Sequence, residues 1–484
     1  MMRTLRIFRK DARRLWPGAL VYIAVMALAA TRSPMNRNFS NYSVWGEILL
    51  QLLAPLACWF LAVTLIHEER LIGDEQYWLT RPYSWKDLVA AKALFLVVFV
   101  NAPLFLCQFA AVAAAGLSPW EWLSALLWRQ VFFSIFFIMP AVALGAVTRN
   151  LGQVVLTGVV ILTAGQALSG NQFPDWGGFD WIRDCGAALV MAVGTAAAVV
   201  LQYTRRRTAL ARGMVAGTLV LAAATAYAPV WGGAFAIQKL FFPGRLGGLP
   251  HLSFDESRAG VHPMSYGRFS SDPDGVRLEI PLRVDNVLPG ARLGADWTSV
   301  GIDGPNGAWR SGWLNFHAFH GLSHGEAWLT VYVDPGFYEK NQDTPVRLYG
   351  KVDFMLYERA RTMTATEYGK VVVPGAGLCM FGRRYRVSQA HSAGETRQVE
   401  VLQNTVECYS PWRELAFATD RDDETLHDAP YAPFPTTSAF QALDLAGSWA
   451  VDADTPSQAF YRPVASAQPV FEARGLRMRE FRMP

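Results

Sequence analysis

The sequence predicts a helical membrane bundle followed by an all-β, sandwich-like domain. Three observations predict it. From about Pro17 to Ile237 the chain runs in long apolar stretches, and a bilayer core needs about 20 such residues per helix. After Pro243 the pattern shifts to an alternation of apolar and polar residues bounded by Gly-Pro turns, the mark of half-buried strands. Finally, only 17% of the 484 residues are charged, against about 25% in soluble proteins. The boundary falls near Lys239–Leu249. It divides the chain into an interfacial amphipathic leader (1–16), a membrane domain (17–237) and a β-rich domain (238–484).

The leader carries Arg3, Arg6, Arg9, Lys10, Arg13 and Arg14. An apolar run with a small-residue motif, Ala27-Leu28-Ala29, follows, as in a signal peptide. The leader is long, however, and Pro17–Thr31 serves as the first of several spans. Six more candidates follow: Trp45–Ile66, Val89–Gly116, Trp122–Val147, Leu151–Ser169, Trp181–Tyr203 and Gly213–Ile237. Trp16, Trp45, Trp120, Trp122, Trp181 and Tyr203 mark their ends, at the depth where amphipathic rings sit. The basic leader, Arg149 and the run Arg205-Arg206-Arg207 lie on one side of this plan, so the positive-inside rule puts the N-terminus in the cytoplasm. Seven spans then put the second half outside; were the seventh run, Gly213–Ile237, not to cross, the second half would be cytoplasmic, so that run decides the topology. A multi-pass protein of the cytoplasmic (inner) membrane is expected, with an extracytoplasmic C-terminal domain.

Polar groups interrupt the spans: Asn101, Gln108, Arg129 and Gln166, with prolines at Pro55, Pro103 and Pro140. Intramembrane polar groups are costly and mark pathways, so these four are candidates for a transport path. They equally suit interhelical hydrogen bonds, and Arg129 suits snorkelling.

In the second half, Val276, Leu278 and Ile280 alternate with Arg277 and Glu279. Val346, Leu348, Gly350, Val352, Phe354 and Leu356 alternate with Arg347, Tyr349, Lys351, Asp353 and Met355. Leu329–Val333 and Val371–Val373 are shorter runs. Many such strands at short spacing predict an antiparallel sandwich. Its Cys379 and Cys408 are a possible disulfide in an oxidising location. Cys58, Cys107 and Cys185 fit apolar packing. The mild charge of +4, clustered beside spans, gives no nucleic-acid surface.

Several chemistries are testable by motif. No Gly-x-x-x-x-Gly-Lys-Ser/Thr phosphate loop occurs, so the chain lacks the usual cradle for nucleotide phosphates. His67-Glu68 lacks the second histidine of a zincin helix. His317, His320, His324 and Glu326 form the best metal candidate, a weak one because His317 and His320 would point to opposite faces of a strand. Ser323, in Gly321-Leu322-Ser323-His324-Gly325, precedes a strand rather than the helix of a nucleophile elbow. No metal, cofactor or catalytic residue is therefore expected of this chain by itself.

The segment between the second and third spans (67–88) is dense in charge. It reads Glu68-Glu69, then Gly73, Glu75, Leu79-Thr80-Arg81-Pro82-Tyr83-Ser84, Leu88 and Lys92. It resembles the loop between the second and third spans of ABC-2 type transporter permeases, and the basic leader resembles that family's interfacial helix. The resemblance covers roughly residues 1–205, the family's six-span unit; the seventh span and the β domain are additions. It implies a permease subunit, expected to export, that pairs with itself or a second permease. It also implies a separate ABC ATPase subunit carrying ATP and Mg. The ATPase would dock through Glu68, Glu69, Gly73, Glu75, Arg81 and Pro82. Membrane lipids are the remaining expected partner. Two other classes fit the same features: a membrane-anchored sensor or assembly protein whose β domain binds a partner, and a membrane enzyme using the His317–Glu326 region.

Overall fold

The computed structural model describes residues 2–31, 44–69, 84–169, 176, 179–227, 230–243, 250–259, 275–287, 291–314, 319–320, 326–364, 370–392, 395–412, 415–419, 432–433, 447–452 and 457–482. Its N-terminal part is helical and its C-terminal part is built on β-sheets.

The leader and the first apolar run form one helix, α1 (Met2–Thr31), with Pro17 inside it. The leader is thus continuous with the helix that follows, and its inner face packs into the bundle: Ile7, Asp11, Ala19, Tyr22 and Met26 are all buried. Phe8 stacks on Phe99 and Thr4 bonds Asp87, so the basic half lies beside the next rod. Next come α2 (Val44–His67) and a rod of α3 (Trp85–Leu96) and α4 (Ala102–Ala114) joined by a π turn, Val97–Asn101. A second rod joins α5 (Leu123–Phe133) and α6 (Met139–Val147) through the π turn Ser134–Ile138. Each π turn stands just before a proline, Pro103 or Pro140. Proline lacks an N–H and crowds the carbonyl four residues back. The wider turn accommodates this: Ala102 N–H bonds Val97 O, and Met139 N–H bonds Ser134 O.

Helix α7 (Leu151–Ser169) is followed by α8 (Asp180–Arg205) and α9 (Thr208–Tyr227). Arg206 takes the left-handed conformation between them, φ 53°, and its N–H caps Leu201 O. The two helices approach closely where Gly194 meets Thr218; a Cβ at Gly194 would collide with that side chain. The seventh apolar run is broken, since α10 (Trp231–Phe241) is a separate helix of 11 residues. Among the described residues, four helical segments are long and apolar enough to cross a membrane: Trp85–Ala114, Leu123–Val147, Asp180–Arg205 and Thr208–Thr225. Leu53–His67 and Leu151–Ile161 are shorter apolar helices.

The sheets use β1 (His251–Phe254), β2 (Val276–Asp285), β3 (Ala291–Gly304), β4 (Gly307–Leu314), β5 (Phe319–His320), β6 (Glu326–Val333) and β7 (Val346–Thr364). They continue with β8 (Lys370–Val373), β9 (Gly377–Ser392), β10 (Glu395–Ser410), β11 (Ala416–Thr419), β12 (Gly447–Asp452), β13 (Ser457–Ala467) and β14 (Val470–Leu476). A short helix, α11 (Pro335–Asn341), capped by Asp334, links β6 to β7. The strand orders are β1-β2-β6-β5, β12-β10-β9-β8 and β11-β13-β7-β3-β4, with β14 also on β7. The first and last sheets enclose a common core of Leu278, Ile280, Leu329, Val331, Val352, Phe354 and Leu356. The expected alternation therefore buries the expected face, with Val276 packed at its rim.

The other face of β7 is covered as well. Met355 and Tyr357 pack on Phe242, Ala459 and Tyr461. On this face α10 covers the sheet through Ala234 and Phe235, which join Trp176, Phe179 and Trp297. The alternation of β7 predicts a polar outward face; the helix converts that face into a second interior.

Candidate functional site at the charged end of the bundle

The two ends of the bundle differ in chemistry. At one end, the start of α1, the end of α2, the start of α3 and the end of α8 converge. Ile7, Ile66, Leu88, Ala91, Ala146 and Tyr203 form an apolar floor there. On it sits a cluster of charges. Lys92 Nζ lies 2.9 Å from Asp11 Oδ2 and 3.4 Å from Glu69 Oε1. Lys10 Nζ is 3.4 Å from the same Glu69 oxygen, and Arg14 Nη1 is 2.7 Å from Glu68 Oε2. Asp11 is fully buried and Lys92 is 3% exposed. The Tyr203 hydroxyl, buried beside them, has no hydrogen-bond partner among the described residues.

Local sequence explains the geometry. Asp11 is the lone acid in a basic leader and falls on the helix face that carries Ile7, Ala19 and Tyr22, so α1 carries it inward. Helix α3 starts at Trp85 because Ser84 caps it, its Oγ accepting from Asp87 N–H at 3.1 Å. Lys92 follows two turns later on the face of Leu88 and Ala91. Buried ions are costly to desolvate, and pairing offsets part of that cost; Asp11 Oδ1 keeps no hydrogen-bond partner among the described residues. Three acids, Asp11, Glu68 and Glu69, meet three bases, Lys10, Arg14 and Lys92, and the cluster is neutral.

Glu68 and Glu69, expected to face a docking ATPase, thus turn into the bundle and clasp α1. Gly73, Glu75, Arg81 and Pro82 lie outside the described residues. The four polar residues of the spans divide similarly. Asn101 Oδ1 accepts from Ser134 Oγ at 3.1 Å, linking the two π turns. Gln108, buried, accepts from Gln130 Nε2 at 2.8 Å. Arg129 Nε donates to the Pro411 carbonyl at 3.0 Å, so it anchors the β domain rather than snorkelling to a surface. The Gln166 side chain lies outside the described residues.

At the other end the contacts are apolar. Leu378 of β9 packs with Val112, Leu117 and Trp122 at the α4–α5 turn. Trp297 packs on Trp231 with centroids 4.3 Å apart and the rings tilted by 50°, and its Nε1 donates to Trp176 O at 3.0 Å. Phe235 meets Trp313 at 4.4 Å. Cys379 and Cys408, directly opposite in the β9–β10 pair, are joined by a disulfide. One acid is enclosed near this end. Asp353, in register with Trp297 on β7, is 1% exposed and accepts from Gln468 Nε2 at 3.1 Å. Burial pushes its carboxyl up to about 7, with the Gln468 bond opposing the shift.

His320 lies in β5, opposite Trp328 of β6; His317, Ser323 and His324 lie outside the described residues. Among the described residues no three His, Cys, Asp or Glu side chains come together to hold a metal. The residues that sequence reading passed over are Asp11, Arg14 and Asp353. An acid isolated among six bases was the available signal for Asp11; Asp353 sat in an ordinary alternation and gave none.

The fold and the clasp define a membrane-type helical bundle with a charged end and a β-capped end. Comparison with protein-family models, with curated proteins and with solved structures finds no match to this chain.

Proposed function

We propose that the chain is the membrane-spanning permease subunit of an ABC-type exporter, driven by a separate ATPase that carries ATP and Mg. The observation that carries this reading is the clasp of Asp11, Glu69 and Lys92. It ties both ends of the segment 70–83 to α1, so a push on that segment acts on α1, α2 and α3 together. This is the mechanical property a coupling element requires, and it adds to the resemblance of Glu68–Lys92 to ABC-2 permeases.

The reading includes a topology. Helices α1, α2, α3–α4, α5–α6, α7, α8 and α9 alternate in direction and make seven crossings, and α10 lies against the sheet. The basic, clasped end faces the cytoplasm of an inner membrane, and the disulfide-bearing β domain faces outward. Two copies, or one copy and a second permease, would enclose the path. The chain itself performs no hydrolysis. Displacement of the clasp would flex the rods at their π turns, which the Asn101–Ser134 bond joins, and would reach the β domain through Arg129 and Pro411.

The test is co-purification. The full chain, isolated gently from its own membranes, should bring an ATPase subunit with it. Replacing 70–83 by a Gly-Ser linker, with Glu68, Glu69 and Lys92 intact, should release that subunit while the chain stays folded. Retention of the complex would remove the segment from the contact. Absence of any ATPase partner would favour a membrane-anchored sensor, and ATP hydrolysis by the chain alone would overturn the reading.

A further inference from the structure

The basic residues of α1 serve two separate ends. Lys10 and Arg14 face Glu69 and Glu68 and are neutralised there. Arg9 and Arg13 are exposed and have no ion-pair partner among the described residues. Beside them lies a shallow, open groove lined by Leu5, Phe8, Arg9, Ala12, Arg13 and Trp16, all on α1. These positions repeat at three- and four-residue steps, so they form one face of the helix. The face runs about 16 Å along the axis, close to the depth of one bilayer leaflet, about 15 Å.

Three features together specify its occupant. The groove is at the level of the charge clasp, where α2 ends and α3 begins, which is the level of a membrane surface. Trp16, 56% exposed, and Leu5, 47% exposed, present apolar surface outward rather than to the bundle. The paired guanidiniums of Arg9 and Arg13, one turn apart, offer forked donors that suit a phosphate.

We infer that this groove binds an anionic phospholipid of the leaflet at the clasped end. The phosphate sits on Arg9 and Arg13, and one acyl chain lies against Phe8, Ala12 and Trp16. The inference rests only on the bundle lying in a membrane, not on the ABC-exporter reading.

The full-length protein in nanodiscs, probed by native mass spectrometry after release, tests it. With equal phosphatidylglycerol and phosphatidylcholine, the wild type should retain phosphatidylglycerol preferentially. The double variant R9Q/R13Q should lose roughly thirtyfold of that preference, since each basic residue near an anionic surface contributes a factor of about five. R9K/R13K should keep most of it. R205Q/R207Q removes the same charge from exposed residues at the same end outside the groove, and should change the preference less than twofold. An equal loss in that control would reduce the effect to general surface potential and overturn the site. An unchanged preference in R9Q/R13Q would also overturn it. So would efficient Trp16→Cys crosslinking between two chains in vesicles, which would make the groove an interface between copies.

Discussion

The two ends of the bundle solve one problem, fixing helices to one another, with opposite chemistry. The clasped end uses six charges around an apolar floor. The capped end uses Trp176, Trp231, Trp297, Trp313 and Phe235, with Arg129 bonded to the Pro411 carbonyl. Aromatic contacts tolerate small displacements because each is individually weak and more than one ring arrangement is favourable. A buried ion pair does not: it is satisfied or it leaves a charge uncompensated. The difference teaches that the clasped end is the more switch-like of the two, and the capped end the more static.

Breaking the clasp should have the largest effect. Lys92→Met leaves Asp11 buried without its 2.9 Å partner, a loss of about 3–5 kcal/mol. It is read as loss of folded protein in thermal aggregation of the detergent-solubilised chain. Adding Asp11→Asn should recover most of it; failure of the double variant to recover would mean that packing of Lys92, not its charge, holds the end.

The capped end has one member that breaks its own pattern. Asp353 is held near pH 7 by burial, above the unfolded value near 3.9. The folded state then binds more protons than the unfolded one between these values. Stability is lost progressively as pH rises through that window, and the loss is complete above about pH 7. Asp353→Asn should remove this dependence, gaining on the order of 4 kcal/mol relative to the wild type at pH 8 and little at pH 4. Parallel denaturation curves at both pH values would show instead that the carboxyl is neutralised from a source other than burial.

The disulfide sharpens the comparison further. Cys379 and Cys408 close a segment with a sequence separation of 29, worth about 3.6 kcal/mol in the chain-entropy account. Replacing both by alanine should lower the thermal midpoint of the β domain and leave Lys92–Asp11 coupling, measured by a double-mutant cycle, unaltered. A changed coupling would show that the two ends communicate.

The smallest effect is expected at the cap of α3. Ser84→Ala removes one cap, about 1 kcal/mol, and hydrogen exchange in the first turn after Trp85 should report it. No change there would mean that the clasp alone sets where α3 starts.

The same contrast explains what was legible in the sequence. Apolar run lengths and period-two alternation gave the helical N-terminal part and the β-rich C-terminal part, because burial on one face writes a period into the chain. Leu278, Val352 and Phe354 were readable as core for that reason. The continuity of α1 was not, since Pro17 and the change from basic to apolar residues both suggest a break. Nor was the burial of Asp353, because a strand's outward face is legible only until a distant helix covers it. The direction of Glu68 and Glu69 was not legible either, because it depends on Lys10, Arg14 and Lys92, which only the folded chain brings near.

The neutrality of the clasp has an electrical consequence. A group that moves through a membrane potential does work in proportion to its charge, about 2.3 kcal/mol per elementary charge per 100 mV. Asp11, Glu68 and Glu69 against Lys10, Arg14 and Lys92 sum to zero, so if the cluster travels as a body the field does no net work on it. Such a latch is blind to voltage. It can be moved by a mechanical push on the segment it anchors, and the cell's resting potential neither helps nor hinders.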